Sequence, residues 1–99
     1  MIYDILQTTG LPCAYSHFNT PQTPPYLVYL GDGQNTLPAD DTYYWTRNVY
    51  SVEYYFTEKD EAFEEELEEL FLENGFKYTK SEDSFVEEEN VYVIYYNLN

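Results

Sequence analysis

Apolar residues recur along the chain at several spacings, and each spacing predicts a different element. Ile2, Ile5 and Leu6 fall at i, i+3, i+4 with Gly10 behind them, the pattern of a short amphipathic helix over residues 2–9 closed by a glycine. Phe63, Leu67, Leu70 and Phe71 recur at i, i+4, i+7, i+8 and predict a longer helix. Asp60 can cap its start, and it should run to about Asn74, with Gly75 at C′ and Phe76 turned back onto Phe71. Leu72 points roughly away from that stripe. Strict alternation marks VYSVEYYF (49–56): Tyr50, Val52, Tyr54 and Phe56 share one face, and Val49, Ser51, Glu53 and Tyr55 the other.

Shorter apolar runs fill in the rest. YLVYL (26–30), TYYWT (42–46), FKYTK (76–80) and VYVIYYNL (91–98) read as strands, and LPCAYSHFN contains a further short one. PQTPP places three prolines in five residues, which enforces an extended connector. LGDGQNTLPADD (30–41) reads as a long loop, Arg47-Asn48 as a tight turn, and SEDSFVEEEN as an acidic hairpin region. The order of elements predicts one α+β domain over residues 1–99. It has a single, mostly antiparallel sheet of about five to six strands, with an N-terminal helix and a longer acidic helix on one face. VYVIYY is apolar on both faces, so the sheet face away from the helices is expected to meet something.

Composition changes the picture in two ways. Thirteen tyrosines, six phenylalanines and one tryptophan supply the aromatic surface of a folded domain, of a kind that subunit interfaces also use. Nineteen acidic against four basic residues give a formal charge of −15, which argues against sequence-specific nucleic-acid binding and against attraction to anionic membranes. No stretch approaches the roughly 20 apolar residues of a membrane span, and MIYDILQTTG has no secretory pattern, so a soluble, unexported chain is expected. A lone Cys13 fits a reducing compartment.

The candidate chemistry is thin. With Asp32 as position 1, a calcium loop needs oxygen ligands at positions 3 and 5, Gly at 6 and Glu at 12, where this chain has Gln34, Thr36, Leu37 and Tyr43. Three of those four positions fail, so turn chemistry of Gly31, Gly33, Asp32, Asn35 and Asp40 accounts for the segment better. His17 has no histidine at i+3 or i+4 and no Cys-x-x-Cys, hence no metal site is expected. Cys13 with His17 lacks an orienting partner, and the Glu87, Glu88, Glu89 run is a solvated one, so no catalytic residue and no cofactor are expected. On the longer helix, Glu61–Glu65, Glu64–Glu68, Glu65–Glu69 and Glu69–Glu73 are like-charged i, i+4 pairs. Together they oppose the helix by about 1–2 kcal/mol. Such a face serves solubility, repels a polyanion or meets a basic partner.

Taken in order, ILQTTGLPCAYSHF, PPYLVYLGDGQNTLPADDTYYW, VYSVEYYFTEKDEAFEEELEELFLENGFKY and VYVIYYNL resemble a family of tail-completion proteins from long-tailed phages and prophages of Gram-positive bacteria. The resemblance rests on the TTGLP…Y-x-H-F opening, the PP-apolar-Y-L-G-x-G-x-N…A-D segment and the K-D-x-x-x-E-x-x-L-E-E-L helix ending in E-N-G, and it covers nearly the whole chain. One departure is Glu61 after Asp60, where the family pattern would often have proline, a change that affects capping little.

What the resemblance implies is a structural virion protein of the tail or neck, assembled in the host cytoplasm. It would act as tail terminator, tail-completion or head-tail joining protein. Such proteins form rings, often hexamers, that dock on tail tube and connector proteins and leave a channel for DNA. On that reading the interface or channel residues are Asp32, Asn35, Asp40, Asp41, Tyr55, Leu72 and Tyr95. The alternative that the charge allows is an acidic DNA mimic that inhibits a nucleic-acid-binding host protein.

Overall fold

A computed structural model of the chain describes the backbone of residues 2–39 and 43–99, and the side chains of residues 2–33 and 49–99. The elements run α1 (Ile2–Gln7), β1 (Cys13–Tyr15), β2 (Tyr26–Ala39), β3 (Tyr43–Phe56), α2 (Glu61–Glu73), β4 (Tyr78–Lys80), β5 (Ser84–Val86) and β6 (Val91–Leu98). The fold is α+β. Its single six-stranded sheet has the order β1-β2-β3-β6-β4, with β5 also on β6. Only β1 and β2 are parallel, and every other pair is antiparallel.

The boundaries of α2 follow from its caps. The Asp60 side chain accepts from the Phe63 N–H at 3.0 Å, satisfying one of the donors that a helix start leaves open. At the other end Gly75 takes φ +83, Phe76 N–H reaches the Phe71 carbonyl at 2.9 Å and Gly75 N–H reaches that of Leu72 at 3.0 Å. That pair of bonds is the Schellman ending expected from E-N-G. The helix stripe then meets the sheet. Leu67 and Phe71, with Ile2 and Leu6 of α1, pack on Leu27, Val52, Tyr54, Phe56, Ile94, Tyr96 and Leu98 in one core. The register explains the choice of residues: Tyr54 stands opposite Leu27 on one side and Ile94 on the other, and all three point to the helix layer.

Two expectations for the middle of the chain are corrected. LGDGQNTLPADD is not a loop up to residue 39, because β2 continues through Ala39 in register with β3. Asp40 and Asp41 lie outside the described residues. Arg47-Asn48 is not a turn either: Arg47 pairs with Asn35 and Asn48 with Gln34 inside the ladder. A register shift falls between Gly31, opposite Tyr50, and Gln34, opposite Asn48, so Asp32 and Gly33 together oppose Val49. This is a β-bulge, and Gly33 supplies the positive φ of +89 that it needs.

The β4 and β5 strands form one interrupted edge. Ser81 to Asp83 bulge between them, with Ser81 N–H donating to the Tyr95 carbonyl at 2.9 Å and the Ser81 hydroxyl accepting from Tyr95 N–H at 2.8 Å. The far face of the sheet is only partly open. Residues 16–25 lie along it, Phe18 sets its ring against Tyr26 at 5.3 Å and 81°, and Val28, Val91 and Val93 are buried.

Candidate functional site

The first feature with functional geometry is a projecting ribbon. The β3 strand pairs with β6 only from Tyr50 to Phe56, and β2 pairs with β1 only from Leu27 to Tyr29, yet the β2–β3 ladder continues to Ala39 and Tyr43. Residues 30–39 and 43–49 therefore form a two-stranded arm, with no third strand on either edge among the described residues. At about 3.4 Å per residue the arm is about 30 Å long. It stretches the molecule to 51 × 28 × 23 Å, with a radius of gyration of 14.8 Å, against the roughly 13 Å of a compact chain of this length.

The two edges of the arm differ. The outer edge of β2 carries the bulge at Asp32-Gly33 and Pro38, which has no N–H to donate. Both are devices that discourage strand addition. The outer edge of β3 over residues 43–49 has neither, and no strand pairs with it among the described residues.

The second feature is the far sheet face. Tyr55 stacks on Tyr26 at 4.9 Å and 21°, and its hydroxyl donates to Glu53 at 2.7 Å. Burial and the Glu53 contact together push the Tyr55 hydroxyl far above its ordinary range, so it remains a donor. Tyr95 stands opposite Glu53 and is 40% exposed. Beneath the Ser16–Pro24 segment this face holds a cleft of about 810 Å³, floored by Val28 and Val91 and walled by Tyr26, Tyr55 and Glu89.

The third feature is a clasp of opposite charges on the helix side. Glu64 is 2% exposed, and Lys80 donates to its Oε1 at 2.9 Å while Lys59 sits 3.0 Å from Oε1 and 2.8 Å from Oε2. Lys80 also meets Glu68 Oε2 at 2.8 Å, and Glu68 accepts from the Tyr96 hydroxyl at 2.7 Å and the Tyr78 hydroxyl at 3.3 Å. Lys59 reaches on to Asp83 at 3.1 Å. Burial alone would push the Lys80 ammonium down, but its hydrogen bonds to Glu68 and Glu64 outweigh that and raise its pKa well above the ordinary 10.5. Burial likewise pushes Glu68 up, and the Lys80 and Tyr96 hydrogen bonds bring it below 4.5. The shifts of Lys59, Lys80 and Glu68 favour their charged forms and those of Tyr78 and Tyr96 keep the phenols protonated, so the clasp is built to fasten α2 to β4 and β6 rather than to pass protons.

Of the seven residues predicted from the sequence, Asp40 and Asp41 lie outside the described residues, and of Asn35 only the backbone is described. Asp32 is exposed in the bulge, Asn35 belongs to the β2 backbone of the arm, and Leu72 is 56% exposed on α2. Among the described residues Tyr55 and Tyr95 come together, as near neighbours on the far face. The clasp was not foreseen. Its signals were present: Glu64 precedes Leu67 by three and Phe71 by seven, which puts it on the buried stripe, and lysines are scarce. Lys80 also changes the reading of one like-charged pair, since it bridges Glu64 and Glu68. Glu61, Glu65, Glu69 and Glu73 remain as an exposed row.

Among the described residues, no helix is long and apolar enough to cross a membrane, and no group of three or more His, Cys, Asp or Glu is placed to hold a metal ion. No protein-family profile matches the chain, and no curated protein matches it in sequence.

Proposed function

We propose that this chain is a structural protein of phage tail or neck assembly, a tail-completion, tail-terminator or head-tail joining component that works by self-association into a ring and docking to tail tube or connector proteins. The observation that carries the reading is the projecting ribbon. An arm whose β3 edge pairs with no further strand among the described residues can bind by backbone pairing, which suits repeated contacts between identical copies. Charge agrees: a ring built from copies of −15 repels the DNA that passes through its channel. In this role the protein performs no catalytic step and resides in the virion. Electron microscopy of a lysate lacking the protein should show separated heads with tails that are unjoined or of uncontrolled length. Normal infectious particles would reject the reading.

The exposed row Glu61, Glu65, Glu69 and Glu73 supports a second reading, an acidic DNA mimic that occupies the basic cleft of a host protein. Residues four apart on a helix repeat about every 6 Å along its axis, but a duplex mimic needs a second row tracking the other strand. A pull-down with the purified chain against basic host nucleases decides it, and recovery of none removes the mimic.

A further inference from the structure

We propose that the cleft beneath the Ser16–Pro24 segment receives an arginine side chain from a partner protein, with the guanidinium against the Tyr26–Tyr55 pair and the Glu89 carboxylate as its counter-charge. The cleft is independent of the ribbon, so this inference stands whether or not the ring reading holds.

The chemistry of the walls selects the ligand. Tyr26 and Tyr55 both line the cleft and stack on each other, and the faces of such rings carry partial negative charge that attracts cations. Glu89 lines it as well, and Glu53 lies beside it, within 2.7 Å of the Tyr55 hydroxyl. Burial, then Glu89 and then Glu53, raise the Tyr26 pKa, which places both carboxylates close to that ring. Among the described residues no lysine or arginine lines the cleft, and Lys59 and Lys80 are engaged at Glu64 on the helix side. An anion would meet the Glu89 carboxylate there with Glu53 nearby, whereas a cation would gain both carboxylates and two aromatic rings.

Shape narrows the choice to arginine. About 810 Å³ exceeds one side chain and admits the flanking backbone of a bound segment. A planar guanidinium stacks on tyrosine and pairs bidentately with a carboxylate, which an ammonium cannot do. The rim has its own signature. Ser16 takes φ +67 at the centre of a γ-turn in which His17 N–H donates to the Tyr15 carbonyl at 2.7 Å. A serine held at positive φ is strained, and such strain clusters at recognition sites.

The test uses the full chain, isotope-labelled, titrated by NMR with the tripeptide acetyl-Gly-Arg-Gly-amide and with its citrulline counterpart, which keeps the shape and removes the charge. Saturable shifts at Tyr26, Tyr55 and Val91 are expected with arginine, with binding about tenfold weaker for citrulline, a loss of about 1.4 kcal/mol. Glu89→Gln, in an exposed turn outside the core, should weaken arginine binding several-fold, and Glu65→Gln/Glu66→Gln on α2 should leave it unchanged. Equal binding of the two peptides overturns the proposal. So do shifts confined to the α2 glutamates, or no saturable shift at any probe concentration up to about 50 mM, well above the millimolar range of weak single-side-chain contacts.

Discussion

One strand, β3, lives in two environments. From Tyr50 to Phe56 it is flanked by β2 and β6, and Val52, Tyr54 and Phe56 are buried under the helices. From residue 43 to 49 it has β2 alone among the described strands. The inner part must satisfy a core, so it alternates strictly, as buried strands with one polar face do. The outer part pairs with β2 alone among the described residues, so the three-strand core does not impose that alternation on it. The described core and the Glu64 clasp both belong to the body, and on the proposed reading docking belongs to the arm.

The largest break in that division should come from the core. Leu67→Ala removes a side chain that is 1% exposed between α2 and the sheet, and urea unfolding should show a loss of about 2–5 kcal/mol. An equal loss from Gly33→Ala, which strains a φ of +89 in the arm, would contradict the division. The arm change is expected to leave global stability lowered by no more than about 1–2 kcal/mol.

Next in size is the clasp. Glu64→Ala leaves Lys59 and Lys80 with only Asp83 and Glu68. Breaking a fully buried pair costs about 3–5 kcal/mol, and since both lysines are about a third or more exposed, 42% and 34%, the measured loss should fall below that range. A variant as stable as the parent would show that the clasp contributes specificity without stability.

Smaller still is a pH effect. The folded-state pKa of Glu68 is depressed below 4.5, because the Lys80 and Tyr96 bonds outweigh burial. A depressed carboxylate stabilises the fold above its ordinary pKa and loses that contribution as pH falls through the folded value. The melting-temperature gap between the parent and Glu68→Gln should therefore be full at pH 6 and close progressively below pH 4.5. A gap that is constant with pH would assign the effect to packing.

Smallest is the response of the arm to calcium. Millimolar calcium should leave the melting temperature nearly unchanged, since the spacing after Asp32 lacks the Gly and Glu of a calcium loop. Replacing Asp32, Asp40 and Asp41 together should disturb assembly more than folding.

The parts most legible in the sequence are those where one local rule decides. The α2 helix announces itself by Asp60, its apolar stripe and Asn74-Gly75-Phe76, and β6 by eight residues that match VYVIYYNL from end to end. The arm was misread because Gly, Asp, Asn and Pro in LGDGQNTLPA are turn formers, and strand state there comes from pairing with β3 rather than from its own propensity. The clasp escaped because a glutamate in a stretch of glutamates looks solvated, and only the fold brings Lys59 and Lys80 to it. The far-face cleft needed the Ser16–Pro24 segment to be placed over the sheet, which no periodicity encodes.

The central claim is that the arm, not the body, makes this protein an assembly component. Gly31 and Tyr50 are paired partners, so exchanging residues 32–49 for Asn-Gly closes the same ladder with a two-residue hairpin and leaves every described core residue in place. Lysates complemented with this folded, armless chain should show in electron micrographs the same unjoined or length-uncontrolled tails as lysates without the protein. Normal particles from the armless chain would contradict the account.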